Sequence, residues 1–301
     1  MPSSRSCPVC GAPATESDLF IGKNIDPDRL SGFSFASRKM PEYMCHQMVR
    51  CRVCDLVYAD EPPSVEELAL AYHSASYDST EEANDAANSY AMAIKPVLEC
   101  LSPRELALEI GTGTGVFLDY LKSAGFARVI GVEPSSAAIA AAPERRRAWI
   151  REGIFVESDF EPCSIDLVCC FMTMEHVRDP RVLTDAALRL LRPGGALVTV
   201  THDYRSIVNR LLGKRSPIID IEHMQIFSRK SIRELFERTG FENISVQSFA
   251  NNYSLRYWLR LSPLPTPIKN LLGRIAALPL LTRQHVSLNV GNTITVGFRK
   301  N

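Results

Sequence analysis

The sequence has no excess of charge of either sign: 34 lysines and arginines stand against 34 aspartates and glutamates in 301 residues. A chain that must seize a nucleic-acid backbone carries a net cationic field, so this balance weighs against nucleic acid and makes a small molecule the better expected partner. No uninterrupted apolar run is long enough to cross a bilayer, and the start, MPSSRSCPVCGAP, lacks the apolar core of a secretion signal. A cytoplasmic location is expected. Internal repeats and low-complexity tracts are also missing. With 46% of its residues hydrophobic, the chain can bury a full core, as one large domain with an appendage or as two domains.

Nine cysteines form an odd set in a large chain without an export signal, which fits reduced thiols better than disulfides. Four fall in two C-x-x-C knuckles, Cys7 and Cys10 in CPVC and Cys51 and Cys54 in CRVC. Each knuckle can chelate from a tight turn, and four thiolates close a tetrahedral shell with no position left for water. The expectation is one structural zinc. About forty residues separate the knuckles, more than in compact zinc modules, and Cys45 and His46 offer alternative ligands. Cys100, Cys163, Cys169 and Cys170 lie in apolar runs and are expected to be buried packing residues.

Residues 1 to about 60 read as a zinc ribbon, with MVRCRVCDLVYAD as a strand pair around the second knuckle and Pro62 and Pro63 ending it. Ser64 and Glu67 stand at capping-box spacing ahead of an acidic, alanine-rich stretch, so 61–100 reads as a helical lead-in or cap. From Leu106 short apolar runs alternate with helical segments: LALEI, VFLDYLKSAGF, RVIGVE, IDLVCCF, VLTDAALRLL, ALVTVTH. That alternation predicts an α/β domain over 101–301, a parallel sheet with helices on both faces. LRPGG predicts a turn before 196–202, and SRKSIRELFERTGF a helix capped by Ser228 or by Ser231 with Glu234 and stopped by Gly240. NISVQSF and NTITVGFRK predict two further strands, the last an edge-region or inserted antiparallel one. Between them, residues 253–283 hold five basic and no acidic residues around a proline-rich break. Amphipathic helices covering the substrate side, an inserted cap over about 250–288, are expected; peripheral contact with an anionic membrane is the alternative.

The run LALEI leads into EIGTGTGV, with glycines at 111, 113 and 115. A dinucleotide loop would need its third glycine at Val116, and a phosphate loop would need lysine and a hydroxyl where Val116, Phe117 and Leu118 stand. A nucleoside without phosphate remains. Glu133 ends RVIGVE eighteen positions past Gly115, where its carboxylate can accept both ribose hydroxyls.

Glu109, the three alternate glycines and Glu133 resemble the class I S-adenosylmethionine-dependent methyltransferases. So do IDLVCCFMTMEHVRDP, LRLLRPGGALVTV and EHMQIFSRKSIRELFERTGF, and the resemblance covers about 64–248. It implies a doubly wound, Rossmann-like, seven-stranded and mostly parallel sheet with S-adenosylmethionine as cofactor. Carried over by position, it implies Glu109, Gly111, Gly113 and Gly115 beneath the methionine and ribose, Glu133 on the ribose hydroxyls, and Asp159 near the adenine amino group. Phe171 and Met172 would wall the cofactor. His176 after the fourth strand is the first candidate base, with His202 after the fifth and His223 in IEHMQIF as the others.

Glu175 and His176 also resemble the acid and histidine pair of ubiquinone-type O-methyltransferases, some of which use a divalent ion. Met172 replaces the further acid of that pattern, so no magnesium site is expected. The expected reaction is methyl transfer to a small molecule, first to oxygen on a sugar or secondary metabolite, with carbon and nitrogen open. The four-cysteine ribbon is shared with C-methyltransferases of nucleotide-linked deoxysugars, whose chains carry a large further domain. Ribosomal or transfer RNA methylation and a non-enzymatic zinc-ribbon binding protein are the remaining alternatives.

Overall fold

The computed structural model describes residues 5–37, 39–262, 264, 268, 269, 271–273 and 284–301. The ribbon region contributes β1 (Ser17–Ile21), β2 (Met48–Cys51) and β3 (Val57–Ala59). As expected for a strand pair flanking the second knuckle, β2 and β3 run antiparallel. The capping box forms as its spacing predicts, Ser64 accepting from Glu67 N and Glu67 from Ser64 N, and opens α1 (Val65–His73). The lead-in continues as α2 (Thr80–Cys100), with Glu81 and Glu82 in its first turn against the positive end of the helix dipole.

The main domain follows as β4 (Leu106–Ile110), α3 (Val116–Ser123), β5 (Arg128–Glu133), α4 (Ser136–Ala141), α5 (Glu144–Arg147) and β6 (Ile150–Glu152). Then come β7 (Ile165–Phe171), α6 (Pro180–Leu190), β8 (Leu191–His202), α7 (Ile207–Leu212), β9 (Gln225–Ile226), α8 (Arg229–Thr239) and β10 (Glu242–Ser248). The chain finishes through β11 (Asn251–Ser254), α9 (Leu255–Leu261), β12 (His285–Leu288) and β13 (Asn292–Phe298). Seven strands form one sheet in the order β10-β13-β8-β7-β4-β5-β6. Strands β4 to β8 pair in parallel, while β13 inserts antiparallel to both β8 and β10.

Covered on both faces, the central strands read as near-continuous apolar runs; every residue of β4 and β7 is buried. The acid in β7 is satisfied: Asp166 accepts from Glu105 N and Leu106 N at 2.7 and 2.8 Å and pairs with Arg192. The LRPGG turn falls inside β8. There the register jumps from Ile165↔Leu191 to Leu167↔Ala196, so the expected turn is a bulge in the strand. Of the two caps expected for α8, the structure uses Ser228, and Gly240 ends the helix at φ 102°.

Two core layers flank the sheet. One joins α2, α3, β11 and α9 to it; the other joins α6, α8 and the ribbon, whose Val9, Leu56 and Tyr58 pack in the same buried cluster as Leu108 and Phe236. The ribbon sheet takes its fourth strand, β9, from far along the chain, between β8 and α8. Of the basic 253–283 segment, the structure describes the end of β11, α9 and helical residues 268, 269 and 271–273, with β12 pairing to β11 beyond the segment; residues 263, 265–267, 270 and 274–283 lie outside the described residues. Arg260, one of the five basic residues, pairs with Glu82 of the acidic lead-in helix, and His285 beyond the segment lies 3.2 Å from Asp85. No described helix is long and apolar enough to cross a membrane.

Candidate active site

Strand order reverses beside β4, which has β5 on one side and β7 on the other. Such a switch point leaves a crevice beyond the carboxyl ends of the strands. A cavity of ≈ 630 Å³ opens there, lined by the glycine turn, the ends of β5 and β7, and residues of the ribbon, α1, α2 and α9.

The glycine turn is a backbone floor. Gly111, Gly113 and Gly115 all have positive φ, at 77°, 57° and 69°, which side chains disfavour. A Cβ at Gly111 would collide with Thr173, whereas one at Gly113 would meet nothing and protrude into open space. Gly111 is therefore tight packing, and Gly113 is where main chain can approach a ligand. Glu109 is buried below and accepts from Thr112 Oγ1. Glu133 ends β5 with one carboxylate oxygen on Gly113 N at 2.7 Å and the other on Ser135 N at 2.8 Å. That clamp fixes the carboxylate against the turn at the cavity wall. Phe171 lines the same wall, packed on Phe117 and Tyr90, with Met172 beside it at φ 52°.

Asp159 is elsewhere. It is exposed at the end of a short 3-10 turn, its carbonyl accepting from Arg151, and the cavity is lined instead by Gly153, Ile154, Phe155 and Glu157. The structure leaves Asp159 off the cavity wall and puts this upstream stretch there instead. Nothing periodic marks the register of 150–160, so position alone did not find the lining residues.

At the other end of the cavity the structure brings all three candidate histidines together. His176 and His223 have ring centroids 4.9 Å apart, and His202 and His223 5.9 Å. Each ring is held through Nδ1: His176 by Glu222 O at 3.1 Å and Tyr72 Oη at 3.0 Å, His202 by Glu175 at 3.0 Å, His223 by Ile218 O at 2.8 Å. Burial lowers the pKa of His176 below its ordinary value, against the pull of Glu175, and drives His223 down to about 3. Glu175 is almost wholly buried; burial alone would raise its pKa, but His202 and His223 hold it down at about 2. Glu222 is half-buried; desolvation, with Asp220 adding to it, pushes its carboxyl up to about 8 despite Lys39. Tyr72, Glu222, Thr173 and Lys39 escaped the sequence reading; Glu222, adjacent to His223, and Thr173, adjacent to Met172, had neighbours that signalled them.

The four knuckle cysteines converge. Cys7 and Cys54 have sulfurs 3.4 Å apart and Cys10 and Cys51 3.5 Å. A tetrahedral zinc with bonds of about 2.3 Å sets its sulfurs about 3.8 Å apart, so the spacing fits that ion. Cys45 and His46 stand outside the cluster, the Cys45 thiol facing Gly22 O. Two other expectations are corrected: Cys100 and Cys163 are exposed, whereas Cys169 and Cys170 are buried. Cys100 is the last residue of α2 and Cys163 sits in a turn at φ 53°, where apolar neighbours do not decide which way a side chain faces.

The long interval between knuckles has structural content. It supplies Phe35, Ser37, Lys39 and Pro41 to the cavity wall, and Lys39 pairs with Asp220 at 2.6 Å. Glu42 N donates to Asp220 at 2.7 Å, Ala59 N to Met224 O at 2.7 Å, and β3 pairs with β9. The ribbon therefore braces the segment that carries Glu222 and His223.

This sheet, with its last strand inserted antiparallel and its glycine turn opening on a deep cavity, has the architecture of a class I S-adenosylmethionine-dependent methyltransferase. A family model described as a methyltransferase domain matches residues 85–246, and the chain belongs to that family. It is 31% identical over 139 residues to a probable S-adenosylmethionine-dependent methyltransferase of Mycolicibacterium smegmatis, covering 45% of this chain and 51% of that one. It is 31% identical over 123 residues to a ubiquinone biosynthesis O-methyltransferase of Idiomarina loihiensis, covering 39% and 48%. The matches span about half the length of these curated relatives. Among solved structures, phosphoethanolamine N-methyltransferase 2 of Haemonchus contortus, in complex with S-adenosyl-L-methionine, shares the fold: TM-score 0.50, 17% identity, 81% of this chain and 62% of that one.

Proposed function

We propose that the chain transfers the methyl group of S-adenosylmethionine to a small-molecule acceptor, with oxygen the first expected acceptor atom. The observation that carries this reading is the junction of two features in one cavity, the Gly113 turn clamped to Glu133 and, beyond it, the three histidines. When bound, S-adenosylmethionine supplies a sulfonium methyl already activated for attack, so the chain's task is alignment and exclusion of water. Gly113 admits the nucleoside against main chain, Glu133 accepts from the ribose hydroxyls, and Phe171 and Met172 wall it. His176, neutral because burial lowers its pKa, takes the acceptor's proton at Nε2, which has no hydrogen-bond partner among the described residues. Tyr72 and the Glu222 carbonyl keep the ring turned that way.

The acceptor end is apolar and aromatic at Phe35, Tyr253, Tyr257 and Trp258, and polar at the histidines. That mixture suits a hydroxylated ring better than a polyanion. Similarity to the ubiquinone O-methyltransferases supports the same class. Incubating the protein with methyl-labelled S-adenosylmethionine and panels of phenols, sugar nucleotides and RNA tests this. Label is expected in a small-molecule fraction; label in RNA alone would overturn it.

The four cysteines hold one structural zinc in this reading, and the zinc's service is to the acceptor half of the cavity. Replacing Cys54 by serine is expected to release about one zinc per chain. Since the ribbon's ion pair and backbone hydrogen bonds reach the stretch carrying Glu222 and His223, whereas among the described residues it meets β4 only through the shared apolar core, turnover is expected to collapse while S-adenosylmethionine affinity changes by less than about threefold. Metal analysis and calorimetry on the same sample check both halves. Loss of cofactor binding in parallel with turnover would argue that the ribbon supports the whole domain.

A further inference from the structure

Too few oxygen ligands stand in the stretch around Glu175 to hold a magnesium ion, but the fold gathers nitrogen ligands to it from two other elements. Glu175 follows β7, His202 ends β8 and His223 precedes β9. One ligand atom from each of the three lies within 4.8 Å of the others. We propose that Glu175, His202 and His223 form a site for a divalent transition-metal ion in the acceptor half of the cavity, separate from the four-cysteine cluster.

Three observations carry it. First, Glu175 is 1% exposed, and its Oε2 is buried with no hydrogen-bond partner among the described residues. An orphaned oxygen on a buried carboxylate is costly, and a bound cation removes that cost. Second, Glu175 Oε1 accepts from His202 N at 2.6 Å and lies 3.0 Å from His202 Nδ1, so the carboxylate is anchored beside that imidazole and Oε2 is the oxygen left for an ion. Third, His223 directs Nδ1 at Ile218 O, 2.8 Å away. A histidine tied to a carbonyl through one nitrogen has the other fixed as an acceptor, the arrangement common to metal-ligating histidines. Closing the 4.8 Å spread to ligand spacing asks for about an ångström of side-chain rotation.

The chemistry of the set chooses the ion. Two imidazoles and one carboxylate favour zinc, iron(II), cobalt(II) or manganese(II) over magnesium, which prefers oxygen. Three protein ligands leave positions open, and His202 and His223 line the cavity, so those positions face the acceptor. An acceptor with two adjacent oxygens, such as a catechol or a vicinal diol, would bind across them. The ion would lower the pKa of the hydroxyl it holds, and that proton would pass to His176. The bond made is oxygen to methyl carbon, the bond broken is methyl carbon to sulfur, and the sulfur keeps the electron pair as neutral S-adenosylhomocysteine. The acceptor half of this proposal rests on the methyltransferase reading; ion binding does not.

The full-length protein, zinc-loaded at the cysteines, would be titrated with manganese(II), which thiolates bind poorly, while the free-ion paramagnetic resonance signal is followed. One equivalent is expected to be taken up. His223→Ala and Glu175→Gln are each expected to weaken uptake at least tenfold, whereas His176→Ala leaves it unchanged. Melting temperature with and without S-adenosylmethionine serves as the fold control for each variant. Absence of uptake by the parent protein, or uptake unaltered in folded His223→Ala and Glu175→Gln, would overturn the site. Neither outcome involves turnover, so the site and the methyltransferase reading fail separately.

Discussion

Replacing His176 by alanine is expected to lower turnover by roughly a hundredfold or more, the usual size of a general-base contribution, with S-adenosylmethionine affinity kept. The asymmetry follows from the map of the cavity. His176 sits with Tyr72, Glu222 and His223, and its ring hydrogen-bonds to Tyr72 and Glu222 of that cluster. Glycine turn and Glu133 lie on β4 and β5, so their geometry does not depend on the imidazole. Single-turnover kinetics beside a cofactor titration separates the two quantities. Unchanged turnover would pass the role to another group, and equal loss of both would make His176 a packing residue.

Glu133→Ala is expected to have the opposite profile. A hydrogen bond to a charged group contributes about 1.5–3 kcal/mol, so losing two ribose contacts weakens cofactor binding by roughly a hundredfold or more. The same carboxylate also holds Gly113 N and Ser135 N, and its removal loosens the turn it clamps. Glu133→Gln keeps one acceptor oxygen and is expected to fall between. With saturating cofactor, turnover in either variant should recover most of the parent rate.

Much of this architecture was legible because it is written locally. Strands β4, β5 and β7 are buried on both faces and announce themselves as apolar runs; Gly111 to Gly115 and Glu133 sit at strand ends fixed by those runs. Capping residues such as Ser64 and Ser228 work within one turn of helix, so spacing alone found them. Asp159 lies off the cavity wall, and sequence could not foresee that because the segment around it has no period to fix register. The alliance of Glu175 with His202 and His223 is a different matter: three elements far apart in sequence meet only through the order β8-β7-β4 and the bracing of β9 by the ribbon. Nor could spacing reveal that the residues between the knuckles wall the acceptor end. Long-range pairing decides both, and a single chain's periodicity does not report it.

Isothermal titration of the purified protein with S-adenosylmethionine, run in parallel on Glu133→Ala, bears most directly on all of this. One binding site per chain is expected for the parent and a roughly hundredfold weaker one for the variant. No heat from the parent, or the same isotherm from both proteins, would contradict the role given to the turn at Gly113 and the acid beside it.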